Sequence, residues 1–146
     1  MSDNILEIAN QLVQKSAVFV VASLDEMGFP SQVALTPLPL NKSINSILFY
    51  TDKSKSTIRN IANDNRIAIF SYNQRNYSSI CLKGHFRIVS EGKLSDDIQK
   101  LLNRFQRELA YTDPVILQFN TMSFRLRNNN EITTEKLDKL SSQSHD

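Results

Sequence analysis

Apolar and polar positions alternate along this chain with two different periods, and the period changes mark its elements. Residues 3–15 carry Ile5, Ile8, Ala9, Leu12 and Val13 on one face at helical spacing, with Ser2 or Asp3 as cap. They predict an amphipathic helix laid across a sheet. Residues 17–24 are apolar on both faces, which suits a strand buried between an interior and a second packed surface. Residues 25–30 turn the chain into a second strand, 31–38. There Pro37, with Pro39 just beyond it, cannot donate to a ladder and marks an edge or a bulge. A polar turn over 41–46 leads to a strand over 47–51. A helix of about two turns follows, striped by Ile58, Ile61 and Ala62 and stopped at Asn63-Asp64-Asn65, and then a strand over 67–72.

The second half continues in the same way. Over 77–90 the period is two: Ile80, Leu82, Gly84, Phe86 and Ile88 share one face, and Cys81, Lys83, His85 and Arg87 share the other. Gly84 within this strand predicts a bend or bulge of the kind a small barrel needs. Ser95 caps a long helix with Asp96 and Asp97 in its first turn and Ile98, Leu101, Leu102, Phe105 and Leu109 as its stripe. Asp113-Pro114 breaks the chain before a last strand over 115–126. From 128 onward large apolar residues are sparse, so the organisation expected is one domain over 1–127 and a polar tail over 128–146, with a weak helix around 135–140.

Composition narrows the classes of function. At 146 residues and 40% apolar, the chain is the size of one domain with an adequate core. A net charge of +2, spread along the chain, sets nucleic acid aside as a partner. Cys81 is the only cysteine and His85 and His145 the only histidines, so neither an intrachain disulfide nor a zinc set is expected. No apolar run approaches the roughly 20 residues of a membrane span, and the N-terminus lacks a basic leader region. A cytoplasmic protein without a membrane partner is expected. Residues 17–24 and 67–72 are apolar on both faces, more than one small domain can hide, and predict a homodimer.

The candidate chemistry sits where the strand over 47–51 meets the short helix. A helix N-terminus carries free N–H groups and partial positive charge, and acids are favoured there, as at Asp96 and Asp97. Here the order is reversed: Lys53, Lys55 and Arg59 surround the start, Ser54, Ser56 and Thr57 are interleaved as successive cap candidates, and the only acid, Asp52, precedes the cap. N–H groups, hydroxyls and cations at one point suit a phosphate; the competing reading is a solvated basic turn. His85, between Lys83 and Arg87, reads as a surface residue, with a haem ligand or proton-transfer group as the alternative. Cys81, without a partner triad, reads as a small apolar filler or a dimer-surface residue.

The stretch Phe49-Tyr50-Thr51, Lys53 to Thr57, Arg59-Asn60-Ile61, Asp64-Asn65-Arg66 and Ile67-Ala68-Ile69-Phe70 resembles, without a gap, the FMN-binding split barrels related to pyridoxamine phosphate oxidase. The phrase from Lys83 to Val89 resembles the Gly-containing strand of that superfamily, and the resemblance spans residues 17–126. It implies a mainly β fold of the α+β type, a six-stranded antiparallel split barrel with flanking helices. It also implies an FMN-binding flavoprotein, an FMN-dependent oxidoreductase acting on a small-molecule ligand. Lys53, Lys55, Ser56 and Thr57 would hold the phosphate, Thr51 would add a hydroxyl, and Thr36, Pro37 and Leu38 would line the flavin ring; no catalytic side chain is singled out. Two positions depart from the family pattern: its helix-start lysine falls on Thr57 and its corner proline on Asn65. The C-terminal strand with which true pyridoxamine phosphate oxidases hold their substrate has no counterpart in this sequence, which argues against that reaction. The alternatives are a non-catalytic binding or stress protein without flavin, favoured by Thr57, and a haem-binding split barrel with His85 as its internal candidate.

Overall fold

The strands form where burial alternates with period two, and the helices fill the connections between them. The computed structural model describes residues 3–137. In chain order it has α1 (Asp3–Lys15), β1 (Phe19–Leu24), β2 (Pro30–Pro37), β3 (Ser46–Asp52), α2 (Ser56–Asn63), β4 (Arg66–Asn73), β5 (Ser78–Glu91), α3 (Asp96–Leu101), α4 (Arg104–Glu108), β6 (Pro114–Asn128) and β7 (Glu131–Lys136). The sheet runs β3-β2-β1-β4-β5-β6-β7, and a further pairing of β3 with β6 closes the first six strands into an antiparallel split barrel.

Inside the barrel, Phe19, Phe49, Phe86 and Phe119 form a column of edge-to-face contacts, each successive pair of ring centroids 5.7 Å apart. Ile47, Ile69, Ile80, Leu82, Leu117 and Phe124 pack around them. α1 lays Ala9 and Val13 on this core, and Asn10 Oδ1 accepts from Ile44 N at 2.8 Å, which ties the helix to the turn before β3. A second cluster, Leu38, Tyr50, Leu94, Leu102 and Ile116, lies under α3 and α4 on the other side of β3.

Closure is uneven. β3 and β6 pair from Ser46↔Asn120 to Asp52↔Pro114, whereas β2 and β3 pair only at Thr36↔Tyr50 and Pro37↔Phe49. Continuing that register would set Ala34 opposite Asp52, but β3 leaves into the turn before α2. Among the described residues, the edge of β2 before Thr36 therefore has no strand beside it on that side.

Gly84 sits at a register shift between β5 and β6, and a Cβ there would come within 2.0 Å of the Asn120 carbonyl oxygen. The bulge is built around that close approach. Ile88 still stands opposite Leu117 on the face of Phe86 but is exposed, and a second register shift follows it before Ser90, so the buried run of β5 ends at Phe86 instead of Ile88. The long helix expected after Ser95 is two short ones. Ser95 does cap α3, its hydroxyl accepting from Ile98 N, but Leu102 is extended and Asn103 opens α4 with a capping box closed by Gln106. Part of the expected tail is structured as well. Residues 131–136 pair with β6 as β7, so Glu135 and Lys136 are strand where a weak helix around 135–140 was expected, and Leu137 is buried in the main core; residues 138–140 of that expected helix lie outside the described ones.

Candidate functional site

α2 begins at Ser56 with Lys55 as N-cap, no side chain caps it, and its first turn holds no acid. The three hydroxyl cap candidates are used otherwise. Ser54 Oγ donates to Asp52 Oδ2 at 2.6 Å, Ser56 is exposed one position inside the helix, and Thr57 is buried. The helix start is left for solvent or a ligand to satisfy.

Asp52 organises the turn that delivers this start. Its Oδ2 accepts from Ser54 N at 3.1 Å as well as from the hydroxyl, and its Oδ1 accepts from Asp113 N at 2.9 Å. Lys53 N donates in return to Asp113 O at 2.9 Å, and Lys55 N to Asp52 O at 3.1 Å. The Ser54 hydroxyl, then the Asp113 and Ser54 N–H groups and the Lys55 charge, hold the Asp52 carboxyl below the usual carboxylate range against the opposing effect of burial.

The cations fan out from this turn. Lys53 Nζ lies 3.7 Å from Glu91, on the side where a groove of about 720 Å³ runs between α2 and β5. Lys55 Nζ lies 5.5 Å from the centre of the Tyr111 ring, and Arg59 Nη1 donates to Ser54 O at 3.2 Å. Tyr111 in turn packs against Tyr50 at 5.1 Å, and the two line a cleft of about 510 Å³ with Lys93 and Arg107. Burial raises both phenols, and the Asp52 charge adds to it.

The other residues expected at the site converge on the same corner from β2 and β3. Thr51, the neighbour of Asp52, is fully buried and its Oγ1 has no hydrogen-bond partner among the described residues. Thr36 pairs with Tyr50 across the seam, but its Oγ1 accepts from Gln106 Nε2 at 2.9 Å, and the same nitrogen reaches Pro37 O at 3.4 Å. Leu38 N donates to Leu48 O at 2.8 Å, and the side chains of Pro37 and Leu38 are buried. Sequence reasoning noted Asp52 only as the acid before the cap, without a role, and missed Tyr111 and Gln106. Two signals were present: an acid two positions before a serine, which favours a local turn, and an Asn-x-x-Gln capping pair.

His85 and Cys81 lie elsewhere, on the outward face of β5. His85 is half-exposed, opposite Arg66, and lines a groove of about 790 Å³ floored by Ala22, Leu24, Ala68 and Met122, with Arg66 and Lys83 at its rim. Cys81 is half-buried opposite Phe70 and Arg125; burial raises its thiol pKa, with Lys83 and Arg125 opposing. A thiol so placed is poorly ionised and is no activated nucleophile. Among the described residues, no helix is long and apolar enough to cross a membrane.

Comparison with known proteins adds the following. The family model described as pyridoxamine 5'-phosphate oxidase matches residues 5–128. None of the curated proteins matches the chain. Among solved structures, a protein related to general stress protein 26 of Bacillus subtilis, from Clostridium acetobutylicum, superposes with a TM-score of 0.76 at 20% identity. The match covers 96% of this chain and 99% of that one. A pyridoxamine 5'-phosphate oxidase-related, FMN-binding protein from Nostoc punctiforme superposes with a TM-score of 0.65 at 14% identity, over 93% and 98% of the two chains. A haem-binding protein from Mycobacterium smegmatis gives 0.71 at 13%, over 97% of this chain and 62% of its own longer one. At these identities the likeness is one of fold.

Proposed function

The chain belongs to the pyridoxamine 5'-phosphate oxidase family, and from that premise we propose that it is a cytoplasmic FMN-binding flavoprotein, an FMN-dependent oxidoreductase that works as a homodimer on a small-molecule substrate. The observation that carries the reading is the start of α2, uncapped and free of acids, beside the unpartnered, buried hydroxyl of Thr51. Ser56 and the first N–H groups of α2 would hold the phosphate, with Lys55 and Lys53 supplying charge from the turn. Thr51 adds its hydroxyl if the corner opens by a small shift. Thr57 contributes only its main chain, because its side chain is buried.

The ring end is more constrained. Pro37 O and Leu38 N are engaged, so Thr36, Pro37 and Leu38 bound the ring by contact, and its hydrogen bonds come from the open edge of β2 just before them. The flavin supplies the hydride or electron transfer; the protein orients it and excludes water. The apolar groove over Ala22 and Ala68 and the exposed rings of β4 suit a second copy of the chain on the outward face of β1 and β4.

A second reading is favoured by one observation. His85 faces a large apolar groove rimmed by Arg66 and Lys83, a setting that fits a flat apolar ligand bearing carboxylates, haem among them. The visible spectrum of the purified protein separates the readings: flavin bands, a haem band, or neither, the last leaving a binding or stress protein. Calorimetry then tests the phosphate. Replacing Lys53 and Lys55 together by Ala is expected to weaken FMN binding by about 2–4 kcal/mol and to leave riboflavin nearly unaffected. Equal losses for FMN and riboflavin, or no FMN binding by the unmodified protein, would overturn the assignment.

A further inference from the structure

Directly before the proposed phosphate site the chain buries a carboxylate. Asp52 is 4% exposed and lies three residues before the α2 N-cap, the wrong sign of charge for a group that helps to hold an anion. Its hydrogen bonds explain its presence. The two oxygens divide their work between Ser54, in the turn entering α2, and Asp113, in the loop entering β6, and Lys53 N answers from the turn to Asp113 O. One side chain thus fixes both the path of residues 53–55 and their distance from β6. Ser54 is drawn down onto Asp52, which leaves Lys55 as the cap residue and Ser56 and the helix amides facing outward.

We propose that Asp52 is a positioning residue: it shapes the 53–55 turn so that the N–H groups of α2 and the Lys55 cation are presented together to a phosphate ester. The inference rests on the flavin reading for the identity of that ester. It does not rest on it for the shape of the turn. The carboxyl is held ionised by its donors, so the turn keeps this shape across the neutral range. Two consequences follow from the geometry. Removing the negative charge while keeping the side-chain size should harm phosphate binding although the electrostatics alone would improve it. Groups that bind a flavin by its ring should not notice.

The test uses the full chain with Asp52→Asn and, separately, Ser54→Ala. In the ligand-free protein, hydrogen–deuterium exchange at residues 53–57 is expected to rise tenfold or more in Asp52→Asn, with β4 and β5 unchanged. Calorimetry should show FMN affinity reduced at least tenfold and riboflavin affinity within twofold. Ser54→Ala, which keeps the Asp113 bond, should show a smaller loss of the same kind. Tighter FMN binding by Asp52→Asn would overturn the proposal by making Asp52 only an unfavourable charge, and equal weakening of both flavins would reduce it to a fold-maintaining group. Should Asp52→Asn fail to fold, the Ser54→Ala comparison of FMN with riboflavin decides in the same terms. If the unmodified protein does not prefer FMN to riboflavin, the phosphate reading fails separately, and unchanged exchange at 53–57 would then sink the role of Asp52 as well.

Discussion

The side-chain amide of Asn60 on α2 donates to the hydroxyl of Ser23 on β1 at 2.9 Å, and both groups are buried. α2 has only Ile58 and Ile61 to pack on the main core, so this bond fixes how the helix is rotated and hence where its first turn points. Asn60→Ala is expected to cost about 1–3 kcal/mol in urea unfolding, because it leaves the Ser23 hydroxyl buried without its donor. Adding Ser23→Ala should recover part of that loss. A single-variant loss below about 0.5 kcal/mol would show that water replaces the amide.

Leu137 is 3% exposed and belongs to the same core as Phe124 and Leu126. Leu137→Ala should therefore cost about 2–4 kcal/mol, as a core truncation does, although the residue lies in a stretch whose composition reads as tail. Truncation after Asn130 should cost more, since it also removes the six pairs of β7 with β6. Thermal unfolding of both variants checks this, and melting temperatures equal to that of the intact chain would mean β7 is dispensable.

Asp64 is gripped by the Arg66 guanidinium at 2.6 Å, and that hydrogen bond, with the Arg66 N–H, lowers its pKa to about 2. The folded value lies below the unfolded value of about 3.9. The unfolded chain therefore takes up more protons between these values, and the contribution of Asp64 to stability, complete above about pH 4, is lost as the pH falls towards 2. NMR titration should place the Asp64 midpoint near 2 in the intact protein and near the ordinary aspartate value in Arg66→Ala. An unchanged midpoint in the variant would mean that the pair does not persist in solution.

Phe70 and Tyr72 stand 40% and 58% exposed on the outward face of β4, with Val20 opposite Phe70 on β1. A homodimer that covers this face should be broken by Phe70→Lys without loss of the fold, because the side chain contributes nothing to the barrel interior. Sedimentation is expected to show a dimer for the intact chain and a monomer for the variant, with matching circular dichroism. An intact chain that sediments as a monomer at micromolar concentration would remove the dimer from the functional reading.

The barrel was legible because its information is local. β4 announces itself as a continuous apolar run and β5 by alternation, and Gly84 by being the one residue without a side chain in that alternating run; the register shift it was expected to mark is there. β7 was not legible: Glu131-Ile132-Thr133-Thr134-Glu135-Lys136 is an edge strand exposed on most positions, and such a strand differs little in composition from a solvated tail. The break between α3 and α4 was missed for a related reason. The stripe from Ile98 to Leu109 has helical spacing throughout, yet Leu102 leaves the helix for the second core and Asn103 starts afresh. At the candidate site, residue types pointed to the corner where β3 meets α2, but hydrogen bonding decides how each side chain there is used. Ser54 is consumed by Asp52, Thr57 points inward, and Lys53 turns towards Glu91, none of which composition can express.

The uneven closure of the barrel has a consequence for how it moves. A cylinder joined by seven register pairs on one side of β3 and two on the other behaves as a cuff with a short clasp. The two-pair seam between β2 and β3 takes fewer backbone pairs to open than the β3–β6 ladder, but Phe19 of β1 packs on Phe49 of β3, so parting the β1–β2 hairpin from β3 also breaks the first ring contact of the phenylalanine column, and that contact is the pin that holds the clasp.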